Sequence, residues 1–261
     1  AGAVAVVHAV ADLLPKGGSA PGETAYALVS VLTGAISIIL MAAIAYELGK
    51  DKAGRLFLLA MLLFSGAVLL FFGYAENYPI LWPFALGFIY TGARYLNGKG
   101  SLILPGLLTI AAVALHLQAL FFLAAWPVLL FARNPLAAWY RRHRSVFWVA
   151  LCAVLCIAGV LFILRCQQSL AFRLRFLPLL LGRPATPDMA VFSPTHLLDI
   201  ANELTLVIPL WPVLIGMARG KWRGVIKDSK GLFLLMFSLG GLLFLAAVDP
   251  KLGMARDWDL F

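Results

Sequence analysis

The feature that most constrains this chain is a series of long apolar runs, each bounded by charged or turn-forming residues. Runs at about 26–46, 56–73, 79–96, 146–164 and 231–248 approach the ~20 residues that carry a helix across a hydrocarbon core of about 30 Å. A shorter run lies at about 204–218. Some 30 further residues, 102–132, are broken only by His116-Leu117-Gln118. As one helix they would extend about 45 Å, so they read as two short spans, 102–115 and 118–132, hinged at the polar residues; a single tilted, kinked helix is the alternative. The runs are continuous rather than alternating, which argues against a β-barrel. The expected fold is all-α: a polytopic transmembrane helical bundle of about eight spans, two of them short, forming a single domain. A chain that is 62% hydrophobic and 13% charged, with a mean hydropathy of +0.94, lacks the polar surface of a soluble domain.

Two stretches do not read as spans. Residues 1–25 form a loop with a short interfacial helix, on which His8 and Asp12 are four residues apart. Residues 165–203 alternate arginines with Leu and Phe and read as a second interfacial segment. The chain begins at Ala1 without an initiator Met, and the expectation is an internal segment of a longer protein with further spans on one or both sides.

The net charge of +9 is not a nucleic-acid signal here. In a membrane chain Lys and Arg mark cytoplasmic loops, and the bilayer is the first expected partner. Eight spans put the loops 47–55, 94–100, 133–145 and 219–230 on one side. They carry three, two, four and five of the 21 Lys and Arg residues. Of the twelve acids, only Glu47, Asp51 and Asp228 fall there. The basic side is therefore cytoplasmic, in a bacterial-type inner membrane.

Most chemistry-bearing residues then collect on the outer side: Glu76-Asn77-Tyr78, His116 with Gln118, His196-Asp199-Glu203, the arginines Arg173, Arg175 and Arg183, and Arg256-Asp257-Trp258-Asp259. Each also has a structural reading. Glu76 could be a solvated turn acid, His116 could bond a helix end, and acids near residue 199 suit a helix N-terminus. Cys152 and Cys156, four apart in an apolar run, read as packing residues. A divalent cation could find ligands in His196, Asp199 or Glu203 with Asp257 or Asp259, but no metal-binding signature accompanies them; no metal site is predicted, and cofactors are left undefined. The triplets Leu81-Trp82-Pro83, Ala125-Trp126-Pro127 and Leu210-Trp211-Pro212 form a faint internal echo. Each is preceded by polar residues.

From Tyr26 to Arg133 the order is a span, a short basic turn, a span ending in a polar outer turn, a span ending in a basic residue, and two short hinged spans leading into LFFLAAWPVLLF. This order, over roughly residues 1–165, resembles the membrane region of the C-type fold glycosyltransferases, which use polyprenyl-phosphate sugars; it is similar in organisation to the protein-mannosyltransferase and lipid A aminoarabinose-transferase group. The resemblance implies an active site on the outer face and a polyprenyl-phosphate-linked sugar as substrate. The family's usual carboxylate precedes the span matching 26–46; Asp12 and Glu23 are the acids present there, and the acidic motif itself would lie upstream of Ala1. Under this resemblance Glu76, Asp257, Asp259 and His116 are the candidate catalytic residues, the carboxylates to take the acceptor's proton. Asn77, Tyr78, Gln118, His196, Asp199 and Glu203 are candidate substrate contacts. Arg173, Arg175, Arg183 and Arg256 suit the lipid phosphate. A transporter and a non-catalytic subunit of a membrane complex are the alternatives. Charged residues sit at span ends rather than mid-span, which weighs against the transporter.

Overall fold

The computed structural model describes residues 2–15, 21–71, 78–133 and 193–247, with isolated positions between 142 and 168. Every element among them is helical. In chain order these are α1 (Gly2–Leu13), α2 (Pro21–Leu48), α3 (Lys52–Leu63), a 3-10 turn at Gly66–Phe71, another at Tyr78–Leu81, α4 (Trp82–Leu96), α5 (Ile103–Leu115), a 3-10 stretch at Leu117–Ala125, α6 (Trp126–Ala132), α7 (Pro194–Val207), α8 (Trp211–Ala218), α9 (Trp222–Lys227) and α10 (Ser229–Ala247). By length and composition, α2 is the one described helix able to cross a membrane, and shorter apolar helices accompany it.

The helix breaks follow local chemistry. The break expected between 102–115 and 118–132 occurs at His116, whose extended backbone (φ −152°, ψ 128°) ends α5. The run at 56–73 is not one α-helix: α3 stops at Leu63, and after Phe64-Ser65 the chain tightens into 3-10 geometry. The run at 204–218 is also divided. α7 ends at Val207, and α8 restarts at Trp211 after a turn containing Pro209, which has no N–H to continue a helix.

The helices have two defined ends. At one, the last turns of α2 and α4 are joined by Asn97, which donates to Glu47, and Arg133, just past α6, donates to the Tyr95 carbonyl at 2.8 Å. The C-termini of α2, α4 and α6 therefore lie together. At the other end Ala3 and Val7 of α1, Ala25 and Val29 of α2, and Ile80 form one buried cluster with Leu115 beside it. Between the ends lies an aromatic core. Phe88 of α4 stacks on Phe122 at 5.0 Å and meets Phe233 and Phe237 of α10 at 5.5 and 5.7 Å. α10 starts at the Glu47 end, with Phe233 against Gly92, and runs past Phe121 toward the His116 end.

α2 and α5 turn several large aliphatic side chains outward and bury small or hydroxylated residues. α2 buries Ser30, Gly34, Ser37 and Ala45 together with Val29, Met41 and Ile44, while Val31, Ile36 and Ile39 face outward. α5 buries Pro105, Thr109 and Ala112, with Ile103 and Ile110 about 70% and 69% exposed. Small residues on the inner face permit close backbone approach. A Cβ at Gly34 would lie 2.4 Å from Phe71 Cβ, whereas one at Gly216 would meet nothing within 4 Å. Replacing Gly34 by Ala should therefore destabilise by about 1–3 kcal/mol through overpacking, while Gly216→Ala should be neutral or slightly stabilising. Thermal unfolding of the two variants in detergent checks the contrast; equal behaviour would contradict this packing of α2.

Candidate functional site

His116 is built into both helices that it separates. Its N–H donates to Ala112 O at 2.8 Å, closing α5, and its Nδ1 accepts the Gln118 N–H at 3.2 Å, opening the 3-10 stretch. That acceptor role requires an unprotonated Nδ1. Burial lowers the His116 pKa below its ordinary value of 6.5, favouring the same neutral form. Gln118 is buried directly beside this hinge. The neighbouring turn Tyr78–Leu81 enters through Pro79 and Ile80, both buried, with Ile80 in the cluster that touches Leu115. The hinge and the Tyr78 backbone thus flank one end of the bundle, together with the first turns of α2.

Past the hinge, the Trp126 indole N–H donates to Thr109 Oγ1 at 3.1 Å, and the Thr109 hydroxyl donates to Pro105 O at 2.8 Å. The hairpin arms are pinned by this relay. A second copy of the device occurs at Trp211, which donates to Thr205 Oγ1 at 3.0 Å, while Thr205 donates to Ala201 O at 2.8 Å. The Trp-Pro triplets noted in the sequence are helix starts. Trp82, Trp126 and Trp211 each open a helix with proline in its first turn. Proline is tolerated there because a first-turn N–H has no intrahelical acceptor.

The opposite end carries a different kind of chemistry. Glu47 sits in the last turn of α2, where a negative charge opposes the helix dipole. It is nevertheless held, its side chain 7% exposed, by Asn97 and by Lys99 Nζ at 3.4 Å. Sequence reasoning placed Glu47 in a charged turn and missed this cross-link. The available signal was an acid at a helix C-terminus on the basic side, which needs partners to be stable there. Asp51 and Asp228, the other two acids of that side, are helix caps, accepting from Gly54 N at 2.7 Å and Gly231 N at 3.1 Å.

Of the residues singled out from the sequence, His116, Gln118 and the Tyr78 backbone share one end. His196, Asp199 and Glu203 all fall on α7, and Asp199 is half-buried. α7 packs near the Gly66–Phe71 turn. Among the described residues no three His, Cys, Asp or Glu side chains gather as metal ligands. Glu76, Asn77, Arg173, Arg175, Arg183, Arg256, Asp257 and Asp259 lie outside the described residues, as do the side chains of Tyr78, His196 and Glu203. No family model, curated protein or solved structure matches the chain.

The hinge has a pH signature. The folded state binds a proton at His116 less readily than the unfolded chain, so its contribution to stability is complete above the unfolded value of about 6.5. That contribution falls as pH drops through the folded value, then levels off. Unfolding of the parent and of His116→Gln, compared from pH 8 to pH 5, should show a larger acid-side loss in the parent; parallel curves would contradict the assignment.

Proposed function

We propose that the chain is a multi-span integral membrane protein and that it acts as a glycosyltransferase, moving a sugar from a polyprenyl-phosphate carrier to an acceptor at the extracytoplasmic face. The membrane part rests on the outward-facing aliphatic side chains of α2 and α5 and on their small or hydroxylated inner faces. Lipid gives aliphatic groups no reason to turn inward, so packing selects small residues at helix contacts instead.

The observation that carries the transferase reading is the separation of the two ends. The C-termini of α2, α4 and α6 share the end rich in Lys and Arg, and the His116 hinge with Gln118 and the Tyr78 turn lies at the other. The basic loops expected from charge on one side adjoin the helix ends that are grouped there, which supports this reading. Such a transfer needs a carboxylate to accept the acceptor's proton and cations to hold the departing lipid phosphate. Glu76 is the candidate base nearest in sequence to the hinge-end turn, and His116, whose Nδ1 accepts the Gln118 N–H, is the candidate imidazole at the hinge.

Membranes containing the protein should transfer label from a radiolabelled polyprenyl-phosphate sugar to an endogenous acceptor. Glu76→Gln should abolish that transfer without loss of the folded protein, read by thermal unfolding in detergent. Full transfer by the folded variant removes Glu76 from the mechanism, and no transfer by the parent across a panel of lipid-linked sugars overturns the enzymatic reading.

A further inference from the structure

We propose that the end of the bundle bearing Arg55, Arg94 and Arg133 is a docking surface for the headgroups of anionic phospholipids. The proposal rests on the membrane reading above and adds a lipid preference that the transferase reading does not require. Each of the three guanidinium groups lies over a tyrosine ring: Arg55 over Tyr46 at 4.0 Å, Arg94 over Tyr90 at 5.7 Å and Arg133 over Tyr95 at 5.5 Å. Those distances are within the reach of a cation–π contact. Arg55 Nε also donates to Gly49 O at 3.2 Å, and Arg133 Nη1 to Tyr95 O at 2.8 Å. Ring and carbonyl fix the planar fork and leave its charge intact.

Among the described residues no carboxylate pairs with Arg55 or Arg133, while Glu47 lies within electrostatic reach of Arg94. Glu47 is held by Asn97 and Lys99, Asp51 and Asp228 cap helices, and Lys99–Glu47 is the one ion pair among the described residues. A guanidinium has five N–H donors, so Arg55 and Arg133 each keep four beyond the carbonyl bond. These donors suit the two non-bridging oxygens of a phosphodiester. The surroundings select a lipid over a soluble anion. Tyr46 is 65% exposed, and Leu56 and Phe57, the two residues after Arg55, are 57% and 53% exposed. A headgroup phosphate on Arg55 therefore has an apolar surface beside it for its acyl chains.

The test titrates the full chain in detergent micelles with spin-labelled phosphatidylglycerol and, separately, spin-labelled phosphatidylcholine. Phosphatidylglycerol should bind at least about tenfold more tightly, and Arg133→Gln should lose about fivefold of that preference, as expected for one basic group at an anionic surface. Arg133→Lys should lose less, because it keeps the charge but not the stacked fork. Raising salt to about 1 M, where the Debye length is about 3 Å, should erode the preference in the unaltered protein, a readout that needs no variant. Equal binding of the two lipids overturns the proposal. Displacement of phosphatidylglycerol by glycerol phosphate at equal concentration also overturns it, since the site then takes a soluble anion. Retention in phosphatidylcholine vesicles after an alkaline wash separates the two readings: a chain that washes off refutes the membrane assignment, and a retained chain without lipid preference refutes this proposal alone.

Discussion

A helix end leaves several backbone N–H or C=O groups without intrahelical partners, and in an apolar surrounding no water receives them. Much of the polar chemistry in this structure answers that constraint. Asp51 and Asp228 accept N–H groups at the starts of α3 and α10, and His116 closes α5 while opening the stretch after it. Pro83, Pro127 and Pro212 sit in first turns, where their missing N–H removes a donor that would need a partner. At the C-terminal ends of α2 and α4 the carbonyls of Gly49 and Tyr95 receive Arg55 and Arg133. Few polar groups remain for the interior, which is why small residues, aliphatics and phenylalanines fill it.

The same constraint acts together with length. α4 alone, at 15 residues, rises about 22 Å, well short of a core of about 30 Å. Preceded by the four 3-10 residues Tyr78–Leu81, each rising about 2.0 Å, it gains roughly 8 Å. The pairing of Leu117–Ala125 with α6 works in the same way and carries 16 residues through a comparable distance. Nine residues of 3-10 geometry are uncommon, because the hydrogen bonds are poorer. Here the tight winding lets segments too short as α-helices reach as far as longer ones.

These features were unequally visible in the sequence. The hinge at His116 was legible, because a 30-residue apolar run exceeds any bilayer and His116 with Gln118 is its only polar interruption. The grouping of helix ends was legible through the charge of their loops, since each loop is adjacent to the helix that it closes. The Glu47–Asn97 contact was not: it joins residues 50 apart, and either side chain alone reads as a solvated loop residue. The end of α3 at Leu63 was also hidden, because Phe64-Ser65-Gly66 is a weak breaker within continuous apolar sequence. The 3-10 stretches were hidden for a related reason. Where nearly every residue is apolar, neither a period of 3.0 nor one of 3.6 leaves a pattern to read. The three Trp-Pro triplets are plain in the sequence, but the role of two of them lies in Thr109 and Thr205, which accept the Trp126 and Trp211 indole N–H groups and are set by helix contacts that sequence spacing does not reveal.

The middle of the bundle bears on which activities this architecture can support. A path for an ion or polar solute needs ionisable or hydrogen-bonding groups near the midplane, facing a cavity. Among the described residues that position is filled by Phe88, Phe122, Phe233 and Phe237, with ring centroids 5.0 to 5.7 Å apart and the first three fully buried. Opening a route there would separate aromatic pairs worth about 0.5–1.5 kcal/mol each beyond their buried area. The described polar sites at the two ends differ in kind. One presents cations fixed on tyrosine rings; the other presents a neutral imidazole and a buried amide beside the outer loops. For the proposed activity, this arrangement favours chemistry at the ends of the bundle over passage through its aromatic middle.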